Sequence, residues 1–586
     1  MVENKYKLLI LNAMKYSIIL NTFKKKSVLL PIFLIILFSS CSDDVVDEVP
    51  LDFLTPANAY MTLDGIKQGN AAMYDAMRTW FSQDANTDYV MSLFTVGTDE
   101  TFDGENFSSQ TYLTDYSSSL VADNVHVGNM WRVNYANIQK CNVLIDGINK
   151  ADSKVWSSEA EKNIYLAESM LFRAFAYRVL VTFFGDVPLV TEVIKVPKTD
   201  FIRTPKADVY KLIEDDLIFA TTNLPVRGKE SAPGRLTQSA AWHYLAEIYL
   251  AQGKFQLAVD AASKVINDYG HALMQNRFGV NLSSDLFGSG DVYYDLFMNN
   301  NQNLPENTEA VWVIQYEPLV PGGGRYTGER TYGPRYFSIG KTPDGFTAFR
   351  GEFVNGVYTG YSDTLGRGVS RCRLTNYVAY DIWRSDWKND IRNAKHNIKR
   401  DYYFDSPSSV YHKKKIVWSL YPAGSRNVLK DTVNYLYPYH LKLSEPCRHT
   451  SNLSTSGQGY AYKDIYAIRL AETLLVRAEA YLGLNNKDLA ATDINRVRNR
   501  AKATPVLAQN VNLDYILDER ARELFGEEQR GFTLLRLGKL VERVRIYHSN
   551  PVRWGADIQD HQNLWPIPQA VIDLNIGAAM TQNPGF

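Results

Sequence analysis

The chain has 586 residues, 45% of them apolar, enough for a large core. Its 63 Lys and Arg stand against 64 Asp and Glu, and a net charge of -1 argues against a protein that works by neutralising nucleic-acid phosphates. The unusual figure is 12% aromatic residues (37 Tyr, 26 Phe and 10 Trp), stiff amphipathic surface that suits sugar or peptide binding, with core packing as its default use.

Residues 1–40 read as an export signal. Lys24, Lys25 and Lys26 form a basic region, and Val28 to Phe38 is an apolar run of eleven, too short to span a bilayer. Ser39 and Ser40 then precede Cys41. Small residues directly before a cysteine resemble a lipoprotein signal-peptidase box, although Phe38 stands where an aliphatic residue is expected. After cleavage Cys41 would be the first residue and carry the lipid, palmitate included; several acyl chains anchor firmly where one is marginal. A plain secretory signal with a chance cysteine is the alternative. Translation from Met14 would give a signal of ordinary size. Residues 41–57 form an acidic tether. Its Ser42-Asp43-Asp44 resembles the signal that sends some Gram-negative lipoproteins to the outer face of the outer membrane, with a solvated tether as the other reading. Cys141, Cys372 and Cys447 are too sparse for a disulfide framework.

The apolar spacing predicts a helix from about Asn58 to Phe81. Residues 82–123 lack periodicity and read as loop. Helical spacing resumes through Trp131, Tyr135, Ile138, Asn142 and Ile145, and again from Ala160 to Phe184, where Gly185 and Pro188 stop it. Thr204-Pro205 reads as an N-cap and first turn leading through Val209, Ile213 and Leu217. From about Tyr269 to Ala461 Gly, Asn, Asp, Pro and aromatics dominate, and Ala310 to Tyr316 alternates like a strand. So long a stretch cannot be free loop in a compact protein, so a second lobe of loops, short helices and small sheets is expected. Helical pattern returns at Tyr462 and runs to Arg545, and the tail closes on a short helix and an extended end.

Two hairpins share a register. In 240–266, Tyr249 precedes Ala258 by nine residues; in 462–503, Tyr481 precedes Ala490 by nine; Ala246 and Ala478 sit three before each Tyr. This is the spacing of a tetratricopeptide helix pair, in which a small residue lets the helices approach and the Tyr covers the turn. Both hairpins are expected in one helical scaffold.

Further residues carry a resemblance from end to end. They are Trp131, Tyr135, Ile138 and Asn142, then Arg173-Ala174, Tyr177 and Phe184-Gly185-Asp186-Val187-Pro188. Arg203-Thr204-Pro205, Val209-Tyr210, Asp216-Leu217 and Gly234-Arg235 follow, and later Ile468 to Glu472 and Ala478-Glu479-Ala480. Asn495, Arg498, Arg500-Ala501, Glu519-Arg520, Glu523, Glu527 and Arg530 come next, before Pro566-Ile567-Pro568, Asn575 and the closing Gln582 to Phe586. In this order, behind Cys41, the chain resembles the SusD/RagB family of outer-membrane nutrient-binding lipoproteins. The resemblance implies a mainly α, SusD-like fold in which four tetratricopeptide-like helix pairs support an irregular, loop-rich lobe with small β elements. It implies an N-terminal helical region at 58–268, an aromatic-rich ligand-binding lobe at 269–461 and a C-terminal RagB/SusD helical region at 462–586. It also implies a lipid-anchored lid, facing outward, on a SusC-like TonB-dependent outer-membrane transporter that takes in the captured nutrient.

The charged residues of those segments lie beside apolar helix faces and read as structural ion pairs rather than catalytic groups. There is no HExxH, no GxSxG and no clustered Cys/His set, and Gly322-Gly323-Gly324 lacks the Lys of a phosphate loop. No catalytic residue, metal ligand or cofactor is expected. Asp285, Asp291 and Asp295 have calcium-type oxygens but not EF-hand spacing, and read as solvated loop carboxylates. Ligand candidates are aromatics with nearby amides and charges. They are Trp80 and Phe81 at the end of the first helix, the segment 325–337 with Tyr326, Tyr332, Arg335 and Tyr336, and then Trp383, Trp387 and Tyr361. The expected function is non-enzymatic capture of an oligosaccharide or polysaccharide. A peptide ligand on the same scaffold, a surface glycosidase and a tetratricopeptide adaptor are the competing readings.

Overall fold

Helix α1 (Leu63–Phe81) begins where the Thr62 hydroxyl accepts the Gly65 amide at 3.2 Å, five residues later than its apolar spacing predicts. The computed structural model describes residues 59–83, 90, 94–104, 115–280, 282, 290–318, 320–351, 353–354, 357–358, 360–362, 365–427, 431–445, 460–549 and 557–586. The signal, Cys41, the tether, Asp285 and Cys447 lie outside these residues. Cys141 and Cys372 are both buried.

Five longer helices follow among the described residues of the first half: α2 (Val125–Lys150), α3 (Glu159–Phe184), α4 (Lys206–Asn223), α5 (Gln238–Ala251) and α6 (Phe255–Asp268). Asn124 caps α2 through the His126 amide, and Ser158 caps α3 through the Glu161 amide. Gly185 ends α3 at φ 72°, which an L side chain rarely adopts. Thr204 does not cap α4, contrary to its sequence reading. Its backbone is committed to a bridge with Val187, and Asp186 instead accepts the first amide of α4, from Lys206, at 2.8 Å.

In the second half come α7 (Leu470–Gly483), α8 (Lys487–Arg500), α9 (Leu513–Leu524), α10 (Arg530–Arg536) and α11 (Leu540–Tyr547). Each of α2 to α7 packs on the next, and α7 on α8 and α9, so the stack crosses the long sequence gap between α6 and α7 without interruption. Arg477 donates to Ser263 at 2.9 Å across that junction, and a Cβ on Gly483 would meet the Phe255 ring at 2.5 Å. The two hairpins close identically: Lys254 N donates to Tyr249 O and Asn486 N to Tyr481 O, both at 2.8 Å. Ala246, Ala258, Ala478 and Ala490 are wholly buried at the close approaches. The fold is therefore mainly α, with tetratricopeptide-like pairs supporting an irregular lobe.

Small antiparallel pairs fasten the lobe. β1 (Thr101–Asp103) pairs with β3 (Cys372–Leu374), β2 (Ala310–Ile314) with β6 (Ile465–Arg469), and β4 (Ile398–Lys399) with β5 (Tyr439–His440). The helix expected from Tyr462 therefore begins only at Leu470, because 465–469 is drawn into a strand by 310–314.

The charged residues of the C-terminal half form a buried lattice. Arg392, Arg469, Arg498, Arg500, Arg522 and Lys442 are joined through Glu309, Asp386, Asp390, Glu519, Glu523 and Glu527. Six cations meet six carboxylates, so this dry cluster is neutral, the condition under which buried charges are tolerated. It pins the lobe (Glu309, Asp386, Arg392, Lys442) to β6, α8 and α9.

Candidate functional site

Most aromatics predicted to meet ligand are spent on the core. Trp80 and Phe81 end α1 almost wholly buried, with Phe81 edge-on to Trp312 at 5.8 Å. Tyr326 packs beside Tyr316 at 6.1 Å, and the Tyr332 hydroxyl is paired with Thr95 at 2.6 Å. Tyr336 donates to Gly366 O at 2.8 Å and accepts the Ser362 amide at 2.7 Å. Trp383 donates to Val378 O at 2.8 Å and is buried. None of these six rings offers a face to solvent, which corrects their reading as stacking surface. The physical reason is that a loop-rich lobe must still bury its own apolar groups, so Gly and Pro around a ring do not expose it. Arg335 is half-buried, its amide donating to Asn434 O at 2.9 Å. Tyr361 is half-buried against Phe337 at 4.7 Å, with the Arg367 guanidinium on its hydroxyl at 3.1 Å.

Trp387 is different. It is 44% exposed, more than any other tryptophan among the described residues. Tyr380, 39% exposed, lies nearby, and the Arg400 guanidinium sits between them, 4.7 Å from the Trp387 ring and 5.8 Å from that of Tyr380. Such cation–aromatic contacts help hold partly exposed rings in position. The backbone under both rings is tied as well. Arg400 Nη2 donates to Ala379 O at 2.9 Å and to Asn393 Oδ1 at 2.6 Å, while Asn393 Nδ2 donates to Trp387 O at 2.7 Å. Asp386, next to Trp387, accepts from Arg498 Nη2 at 2.7 Å and from the Thr504 amide at 3.0 Å and hydroxyl at 2.6 Å. Burial lowers the Arg400 pKa to about 10, which leaves it cationic at neutral pH. Sequence reasoning singled out Trp387 and missed Tyr380 and Arg400, because Arg400 reaches the rings only through the fold.

A second ring–arginine group lies in the same lobe. Trp418 and Tyr421, both half-buried, stand 6.4 Å apart with Arg426 5.1 and 4.7 Å from them. The Tyr421 hydroxyl donates to Lys341 O at 2.8 Å, and Phe346, 45% exposed, projects from the adjoining turn.

The concave sites have other chemistry. A groove of about 430 Å³ on the helical side is lined by Trp131, Tyr135, Ile138, Pro188 and Phe201. The Gln139 amide in it is already committed to the Ile194 backbone at 3.3 Å, so it lacks groups to orient hydroxyls. A polar groove of about 520 Å³ beside Arg227, Glu230 and Asn303 contains Trp312, but that ring is buried and its N–H donates to Gly234 O at 2.9 Å.

His243, Glu247 and Glu472 converge with metal-ligand types. However, Arg178 holds Glu247 at 2.7 Å and Arg520 holds Glu472 at 3.0 Å, so a divalent cation would face two guanidiniums. Burial pushes His243 down to about 4 and Glu472 up to about 8. Asp291 and Asp295 are equally committed. Asp291 accepts the Tyr294 amide at 2.8 Å and pairs with His396 at 2.6 Å, and Asp295 pairs with Arg277 at 2.6 Å. These contacts make them structural carboxylates rather than calcium ligands or freely solvated groups.

Two family models match the chain. One, described as "SusD family", covers residues 372–586, and one described as "Starch-binding associating with outer membrane" covers 64–250. SusD-like protein P25 of Formosa agariphila is 23% identical over 575 residues, 94% of this chain and 97% of the relative. A SusD-like protein of Bacteroides ovatus is 26% identical over 526 residues, 86% of this chain and 81% of the relative. Among solved structures, a laminarin-binding SusD-like protein superposes with a TM-score of 0.64 at 22% identity, covering 90% of this chain and all of the other. Surface glycan-binding protein A of Bacteroides thetaiotaomicron, in complex with laminarihexaose, gives 0.62 at 20% identity, covering 89% of this chain and 99% of the other.

Proposed function

The chain belongs to the SusD family, and from that premise we propose that it is a cell-surface lipoprotein that captures an oligosaccharide or polysaccharide and delivers it to a SusC-like TonB-dependent transporter. The lipid is on Cys41, the anchor is in the outer membrane and the protein faces outward. The observation that carries the binding function is the Tyr380–Arg400–Trp387 platform: two partly exposed rings against one guanidinium in the irregular lobe. Sugar rings lay C–H faces on such surfaces while charged and amide groups take their hydroxyls. Solved neighbours described as laminarin-binding and as a laminarihexaose complex support a glycan as ligand. No helix among the described residues is long and apolar enough to cross a membrane.

The protein acts as a receptor rather than an enzyme. Glycoside hydrolysis needs two carboxyls facing one cleft. The glutamates of α9 and the segment after it, Glu519, Glu523, Glu527 and Glu528, are instead turned inward onto guanidiniums.

Calorimetric titration of the soluble form, begun after Cys41, against plant, host and microbial glycans tests the reading. At least one glycan should bind without release of product. Trp387→Ala should weaken it about 30-fold or more, as expected for loss of a central aromatic anchor. Binding to peptides with none to any glycan would refute the glycan reading.

A further inference from the structure

We propose that the Trp387 platform selects a glycan carrying negative charge, a uronate or a sulfate ester, over a neutral one; this rests on the receptor reading above. Positive charge is left over in the segment that carries the rings. Residues 380–400 contain Arg384, Lys388, Arg392, Lys395, Lys399 and Arg400 against Asp381, Asp386 and Asp390. Each of the three carboxylates is neutralised locally: Asp381 by Arg384 at 2.5 Å, Asp386 by Arg498 at 2.7 Å and Asp390 by Arg392 at 2.7 Å. Asp401, which acts on Lys399 and Arg400 at longer range, is bound to Lys415 at 2.6 Å.

Among the described residues, no carboxylate is bonded to Lys388, Lys395, Lys399 or Arg400. All the hydrogen bonds of Arg400 go to neutral acceptors, Ala379 O and the oxygens of Asn393. Lys388 is exposed next to Trp387, and Lys395 is exposed on the loop that Asn393 ties to Trp387. Lys399 lies half-buried beside the exposed ring of Tyr403, its Nζ 5.6 Å from the centroid. In a chain with a net charge of -1 overall, the segment 388–400 that adjoins Trp387 keeps four cations with no bonded carboxylate among the described residues. A neutral sugar has no use for them. A carboxylate or sulfate on a sugar lying against Trp387 would take charge-assisted hydrogen bonds from the ammonium groups.

The test titrates the soluble form with matched pairs: polygalacturonate against its carboxyl-reduced galactan, and dextran sulfate against dextran. The first pair reports a carboxylate and the second a sulfate. At least one anionic member should bind about tenfold tighter than its neutral partner at low salt, and the gap should narrow as added salt shortens screening to a few ångströms. Lys388→Gln, Lys395→Gln and Lys399→Gln together touch exposed or half-exposed side chains and leave the loop hydrogen bonds in place. They should remove about twofold to fivefold of that preference per charge and leave neutral binding unchanged. Equal affinity within both pairs, or a preference surviving the triple change, overturns the inference while leaving the receptor reading intact. An anion preference indifferent to Trp387→Ala also overturns it, as adsorption elsewhere. Binding of no glycan of either kind overturns both.

Discussion

Glu523→Gln removes one charge from the centre of the buried lattice. Glu523 Oε1 accepts from Arg469 at 2.9 Å and from Arg500, and Oε2 accepts from Arg392 at 3.0 Å. The side chain and all three guanidiniums are wholly buried. Glutamine keeps the shape but leaves six cations against five carboxylates in a dry core, with an amide N–H₂ facing guanidinium donors. Removing one partner of a buried pair costs about 3–5 kcal/mol. With an unfolding entropy of about 2.1 cal/mol/K per residue over the roughly 530 residues of Tyr60–Phe586, that is a fall in Tm of about 3 to 5 °C. Acid supplies a second reading of the same interaction. Burial by itself would raise the Glu523 pKa, but Arg500, Arg469 and Arg392 outweigh it and hold the carboxyl far below its ordinary range. Glu519 is held down to about 2, again against burial, by Arg392, Arg498 and Arg522. A depressed folded pKa contributes stability that is complete above the unfolded value of about 4.3 and is lost as pH falls below it. Wild-type Tm should therefore drop steeply below about pH 4.3, and the Glu523→Gln protein should drop less steeply. Differential scanning calorimetry at pH 7 and across pH 5 to 3 measures both, with Asp215→Asn, which breaks an exposed pair with Lys211, as a control. A Glu523→Gln protein that melts within the control's shift at pH 7 would refute the claim that neutrality of this lattice holds the lobe to the helices.

Three other outcomes follow from the geometry. Gly483→Val places a side chain against the Phe255 ring and should cost about 1–3 kcal/mol by overpacking, read as a lower urea midpoint with an unchanged slope. If that protein is as stable as wild type, α6 and α7 do not pack as described. Cys41→Ala should move the protein from the membrane to the soluble fraction after cell lysis; retention on the membrane would remove Cys41 as the anchor. Trp387→Ala should weaken glycan capture about 30-fold or more yet shift Tm by less than about 2 °C, because the residue is 44% exposed and its ring lies against the Arg400 guanidinium.

The competing uses of aromatic residues explain why the site was harder to read than the scaffold. Trp383 and Trp387 lie four residues apart in one segment, yet one is 1% exposed and the other 44%. Their residue types and spacing alone do not distinguish them. Trp383 is drawn in because its N–H finds the Val378 carbonyl, and Trp387 is turned out because Asp386 and Asn393 fix the chain on either side. Arg400 was invisible for the same reason: its partners Tyr380, Trp387 and Asn393 come together only once the chain between them has turned back.

The sequence by itself determined most of the helices, since their apolar periods and the Gly185 stop are local properties that survive in the fold, whereas the Thr204 cap did not. It also determined the tetratricopeptide register, because the Tyr-to-Ala spacing is that of a closed hairpin wherever the hairpin sits. Tertiary structure alone decided that α6 lies on α7, that 465–469 is a strand rather than the first turn of a helix, and which rings face solvent. Each of those outcomes depends on partners more than a hundred residues away: 310–314 for the strand, Phe255 for Gly483, and Arg498 and Thr504 for the residue that turns Trp387 outward.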